Sequence, residues 1–123
     1  MPAEEKLVAF VRGYLECALW SSVDDDDGMP LDRDYSIEDV SFESLVRIIP
    51  ECADFIDAQA DLLEQAGDDY SQHGDDFWLT RNGHGTGFWD RGYGDVGDQL
   101  TEACKPYGSS MLIVGNDGKI HVT

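Results

Sequence analysis

Positive charge is what this chain most lacks. Eight lysines and arginines stand against 26 aspartates and glutamates, a formal net charge of −18. Direct binding to nucleic acid or to an anionic membrane needs cations on the protein, so both are excluded. Long apolar runs are missing too, and no stretch approaches the roughly 18 to 20 residues of a membrane span. Cysteine is sparse and odd in number. Cys17, Cys52 and Cys104 sit within helix-like patterns, which argues against a disulfide framework and for reduced, packed thiols in a cytosol. The start Met1-Pro2-Ala3-Glu4-Glu5-Lys6 has no basic segment leading into an apolar run, so no secretory signal is expected.

What is present is a normal core composition. Apolar residues make up 41% of the chain, with thirteen Phe, Trp and Tyr among them, too many for a disordered polymer despite the charge. A length of 123 residues suits one domain, and no linker or repeat divides it. The charge is uneven. Residues 1–66 carry 17 acidic and 4 basic side chains, against 9 and 4 in residues 67–123.

Hydrophobic periodicity predicts a helix over 4–20, with Leu7, Val11, Tyr14, Leu15 and Ala18 on one stripe that Val8 and Leu19 widen. Breakers follow at Asp24 to Asp27, Gly28 and Pro30. A second helical zone is expected over 36–66. Its starts lie at Ser36 with Asp39 and at Ser41 with Ser44, and Gly67 closes it. Phe42, Leu45, Ile49, Cys52, Ile56 and Leu63 form its expected buried stripe, and Pro50 should kink or divide it. Phe77 to Arg81 and Thr86 to Asp90 flank Asn82-Gly83-His84-Gly85, the pattern of a β-hairpin. A helix is expected over 95–106, with Val96, Leu100 and Cys104 inward and Pro106 ending it. Met111 to Val114 and Lys119 to Val122 then flank Gly115-Asn116-Asp117-Gly118, a second hairpin. The expected fold is α+β in the order α-α-β-β-α-β-β, a small antiparallel sheet with helices packed on it.

The run Asp76-Phe77-Trp78-Leu79-Thr80-Arg81-Asn82-Gly83-His84-Gly85-Thr86-Gly87-Phe88-Trp89-Asp90 resembles the signature of a family of small acidic proteins encoded by bacteriophages, prophages and plasmids. The likeness extends more loosely from the first helix to Tyr107-Gly108. That family has no established activity, so the resemblance carries over no catalytic residue. It implies a gene on a mobile element and a bacterial cytoplasm. Small acidic phage proteins often act against host enzymes that handle nucleic acid, an argument by association.

The residues themselves point to an acidic surface. Glu51, Asp54, Asp57, Asp61, Glu64 and Asp68 are spaced by 3, 3, 4, 3 and 4 residues, which lines them along one helix face. Neighbouring carboxylates then lie roughly 5 to 6 Å apart, close to the spacing of phosphates on a strand. Such a row suits a basic, nucleic-acid-binding groove on another protein; the plainer reading is a solvated helix face. Asp24, Asp25, Asp26 and Asp27 add to the negative field. They do not make a calcium loop: with Gly28 at the sixth position, Val23 falls at the first.

Other chemistry is weakly signalled. Gly83-His84-Gly85-Thr86-Gly87 opens no helix and is followed by no Lys-Ser or Lys-Thr pair, so it is not a phosphate loop. His84 with Asp75, Asp76 and Asp90, or with His73, can be drawn as an acid–base pair or a metal site. Yet no nucleophile context, Cys-x-x-Cys or His-Glu-x-x-His spacing supports either. No catalytic residue, metal or cofactor is expected. In the hairpin reading Leu79 faces Phe88 and Trp78 faces Trp89, so one sheet face offers an aromatic pair, Trp78 and Trp89, beside His84 as an alternative contact surface. Arg81 and Arg91 should pair with local carboxylates. The expected function is therefore a non-enzymatic acidic inhibitor that blocks a basic site on a host protein. The alternatives are an accessory or structural phage protein contacting its partner through the hairpin, and an enzyme using His84.

Overall fold

A computed structural model describes residues 2–123. Over these residues five α-helices and a two-stranded antiparallel sheet form an α+β fold. Helix α1 spans Ala3–Ser21, with Glu4 and Glu5 favourably placed at its positive end. It buries Tyr14, Leu15, Ala18 and Leu19 as their spacing predicts, but also Phe10 and Cys17, while Val8 lies exposed.

Helix α2 runs Phe42–Ala58 and α3 Ala60–Ala66. Ser41 caps α2, its Oγ accepting from the Ser44 amide at 3.2 Å. Pro50 does not divide the helix. It sits on the exposed face, where α2 continues through it, and the break comes at Gln59 instead. The buried register also differs from the expected one. Ser44, Ile48, Cys52, Phe55 and Leu63 face inward, and Phe42 and Ile49 face out at 76% and 39% exposure. The same pair of serines explains part of this. Ser44 Oγ accepts from the Val122 amide and Ser41 N–H donates to the Ile120 carbonyl, which turns that side of α2 onto the C-terminal sheet.

The expected first hairpin is absent. Residues Tyr70–Arg81 form helix α4, capped by Asp69, whose carboxylate accepts from the Gln72 amide at 2.8 Å. Asn82-Gly83 ends this helix rather than turning a hairpin. Gly83 takes the left-handed conformation at φ 68°, His84 N–H bonds to the Leu79 carbonyl, and Gly83 N–H bonds to that of Thr80. This is a Schellman C-cap, which uses the same Asn-Gly pair as a tight β-turn. Phe88–Asp90 is a single 3-10 turn, so Trp78 and Trp89 do not face each other across strands. Helix α5, Asp95–Cys104, buries Leu100 and Cys104. Strands β1, Leu112–Val114, and β2, Ile120–Val122, pair antiparallel around Gly115 to Lys119, as their sequence predicts.

Helix α4 is the centre of the molecule. It buries Tyr70, His73, Gly74, Asp76, Phe77, Trp78 and Leu79, residues from every side of the helix. Aromatic rings gather on it. Phe77 stacks on Phe55 with centroids 4.3 Å apart, and Trp78 meets Tyr14 edge to face at 5.3 Å. Gly13 and Gly74 let the backbones of α1 and α4 touch. The thiols of Cys17, Cys52 and Cys104 are free and buried in this core, and burial pushes those of Cys17 and Cys104 up to about 12.

Candidate functional site

The acidic row exists as a surface but bends. Glu51, Asp54 and Asp57 lie on α2, Asp61 and Glu64 on α3, and Asp68 in the loop before α4. Gln59, with φ −111° and ψ 21°, separates the two segments.

Most of the row is held by donors from elsewhere in the fold. The Tyr107 hydroxyl donates to Asp54 at 2.6 Å, that of Tyr70 to Glu64 at 2.5 Å, and that of Tyr93 to Asp68 at 2.9 Å. Arg81 binds Glu51, and Lys6 lies 3.7 Å from Glu64. Asp57 and Asp61 are exposed and take part in no ion pair among the described residues. The phenols matter because they are neutral. Burial and then the facing carboxylate push the pKa of each hydroxyl up, so the tyrosines stay protonated and donate. In return, the Tyr70 hydroxyl and then Lys6 hold the Glu64 carboxyl below its usual range. The three carboxylates thus each accept a hydrogen bond from a neutral donor, a charge-assisted contact that orients them.

Of these tyrosines only Tyr70 carries a signal in the sequence for its place at the site. Tyr70 follows Glu64 across the Gly67 turn and has a local signal in its spacing. Tyr93 and Tyr107 reach residues 25 and 53 positions earlier, and nothing in the sequence announces that.

The Asp24 to Asp27 loop is ordered by its own carboxylates. Asp24 accepts from the Asp26 amide at 2.9 Å and Asp27 from the Met29 amide at 3.0 Å, while Arg33 pairs with Asp27 at 2.5 Å. The Met29 amide, then Arg33, keeps the Asp27 carboxyl below its ordinary range. Asp25 and Asp26 remain exposed.

The residues of the alternative contact surface separate. Trp78 is 2% exposed and its Nε1 donates to Ser21 Oγ, so it belongs to the core. Trp89 is half exposed and His84 lies exposed at the turn. The carboxylates once drawn beside His84 are engaged elsewhere. Asp90 accepts from Thr86 and the Gly87 amide, which holds its carboxyl low. Asp76 is fully buried, its Oδ1 accepting from Arg91 Nε at 2.9 Å and from Gln72, its Oδ2 unpartnered. Burial raises Asp76 to about 6 against the opposing Arg91, and burial and then Asp76 raise Asp75 to about 6. His73 is buried among Tyr70, Phe88 and Tyr93 with neither ring nitrogen hydrogen-bonded, and burial lowers its pKa. Among the described residues no group of three His, Cys, Asp or Glu is placed to hold a metal ion, and no helix is long and apolar enough to cross a membrane.

No protein-family model, no curated protein and no solved structure matches this chain.

Proposed function

We propose that this protein is an acidic inhibitor that occupies a basic, nucleic-acid-binding groove on a partner protein. The observation that carries the reading is the set of tyrosine hydroxyls, neutral donors that brace Asp54, Glu64 and Asp68. A solvated helix face needs no such bracing, and like charges at this spacing cost stability. A rigid row of anions presents a phosphate-like field with little ordering cost on binding. Long-range attraction from a chain of net charge −18 speeds encounter. The resemblance of residues 76–90 to small phage, prophage and plasmid proteins supports a partner in a bacterial host, such as a nuclease or another enzyme that handles nucleic acid.

The test is capture of bacterial lysate proteins on the immobilised chain at about 50 mM and about 300 mM salt, with duplex DNA as competitor. The expected partner is released by salt and by DNA, and is lost with the variant Asp54→Lys, Asp57→Lys, Asp61→Lys. Capture that survives both salt and charge reversal overturns the reading. One observation favours a second reading, an accessory phage protein that binds through the signature segment: Trp89 stays half exposed beside the His84 turn. There Trp89→Ala abolishes binding and the charge-reversed row does not.

A further inference from the structure

Strand β1 has one partnered edge and one open edge. Thr123 N–H donates to the Met111 carbonyl at 3.0 Å, and Gly115 N–H to that of Lys119 at 2.8 Å. Antiparallel pairing alternates, so these bonds and the Ile113–His121 pair between them turn the amides and carbonyls of Leu112 and Val114 away from β2. The far side of β2 is not open in the same way, since Val40 bridges Ile120 there and Ser41 bonds its carbonyl.

The open edge borders a groove of about 480 Å³ that also runs along Ser21 to Asp26 and Leu31. All four consecutive residues Met111 to Val114 line it. Successive side chains of a strand point to opposite faces, so four in a row can border one groove only across the strand's edge. Sheet edges of this kind are ordinarily blunted by lysine, proline, a bulge or a covering element. Here the edge holds none of these, and Met111, Ile113 and Val114 are 59%, 47% and 37% exposed.

The opposite wall decides what fits. It carries Asp24, Asp25 and Asp26, and the last two are exposed and make no ion pair among the described residues. A second copy of this chain would bring another such loop and another −18 of net charge to the same place. A cationic segment meets attraction instead. We propose that the open edge of β1 takes an extended segment of another protein as a third strand, its backbone paired with Leu112 and Val114 and its basic side chains against Asp25 and Asp26. This is strand addition, with main-chain bonds giving affinity and alternate side chains giving choice. It uses a surface separate from the acidic row and does not depend on the reading of that row.

The probe is a capped hexapeptide of alternating lysine and valine, titrated into the isotope-labelled protein and followed by amide NMR. At low salt it should bind with Kd below about 1 mM and shift the amides of Leu112 and Val114 most. Methylating the peptide amides that face β1 should weaken binding at least about tenfold without touching the protein. Val114→Pro, which removes an amide unused by the fold, should do the same, as proline is tolerated on an open edge. Asp25→Asn with Asp26→Asn should weaken binding and flatten its salt dependence, whereas the Asp54, Asp57, Asp61 reversal should leave it unchanged. No binding at 1 mM peptide overturns the proposal, as does equal binding of the methylated peptide. So does self-association through β1, seen as dimers in sedimentation that Val114→Pro dissolves, because the edge then belongs to a second copy.

Discussion

Gly74 of α4 lies so close to Phe10 of α1 that a β-carbon on it would stand 2.0 Å from the Phe10 carbonyl oxygen. The contact is reciprocal, since a β-carbon on Gly13 would stand 2.0 Å from the Ser71 carbonyl oxygen. Neither obstacle is a flexible side chain, so the helices must separate to admit a methyl group. Gly13→Ala and Gly74→Ala should each destabilise the protein by about 3 kcal/mol or more, the upper range for overpacking. Gly85→Ala is the control, because nothing lies within 4 Å of its added carbon. It should be neutral or slightly stabilising. Urea midpoints of the three variants check this.

Arg81 ties four parts of the chain together. Its side chain is 4% exposed and donates to the carbonyls of Gly108 and Tyr107, to the Tyr14 hydroxyl at 3.1 Å and to Glu51. Arg81→Gln leaves those acceptors unmatched and should cost about 3 to 5 kcal/mol. Arg81→Lys should recover only part, since an ammonium cannot span a forked set of acceptors. The readout is again the denaturation midpoint at unchanged slope.

The tyrosine braces allow charge and rigidity to be separated. The triple variant Tyr70→Phe, Tyr93→Phe, Tyr107→Phe keeps every carboxylate and the full net charge. Each hydroxyl lost should cost about 0.5 to 1.5 kcal/mol of stability. If the row works as a fixed template, partner affinity should fall at least about tenfold, through faster dissociation, with the association rate nearly unchanged. Surface plasmon resonance separates the two rates. Unchanged affinity would mean that only the field matters.

Stability should pass through a maximum on the acidic side of neutrality. Asp75 and Asp76 have folded pKa values raised to about 6 from 3.8, so the folded state binds their protons more tightly than the unfolded chain does. Their contribution is present at low pH and is lost as pH climbs from about 4 through about 6. Asp27, Glu64, Asp69, Asp90 and Asp117 are shifted down, each chiefly by a hydrogen bond to its carboxylate. Their contribution is present above the unfolded carboxyl range and is lost as pH falls below about 4. His73, whose folded pKa burial lowers, opposes part of the decline above about pH 4. Two raised carboxyls outweigh one imidazole, so melting curves between pH 3 and 8 should peak between about 4 and 6. Asp76→Asn should flatten the decline on the neutral side and leave the acid limb as it was.

How far the sequence reveals this fold depends on how many faces an element buries. Helix α1, α5 and the β1–β2 hairpin each bury a limited side or carry clear turn chemistry, and all three are legible. Helix α4 is buried around most of its circumference, with only the Ser71 and Asp75 side left partly open, so Phe77, Trp78 and Leu79 occur in succession and no helical period survives. A short aromatic run before Asn-Gly then reads as a strand. The register of α2 was obscured for another reason. Its outward residues Phe42, Val46 and Ile49 are as apolar as its inward ones, and only the bonds of Ser41 and Ser44 to β2 decide which side turns in. At the candidate site the carboxylates are legible from spacing alone. Their partners Tyr93 and Tyr107 are not, because those contacts exist only after the chain has folded back on itself.

The pairing of α1 with α4 also sets a schedule for synthesis. Tyr14 packs on Phe77 and Trp78, 63 and 64 residues later in the chain. A ribosome adding about 5 to 20 residues per second makes the first helix some 3 to 13 seconds before its mate exists. During that interval only part of the apolar side of α1 can be covered, by the turns at residues 31–39 and by Phe55 of α2, which meets Phe10. The side that meets Phe77 and Trp78 stays uncovered until α4 is made.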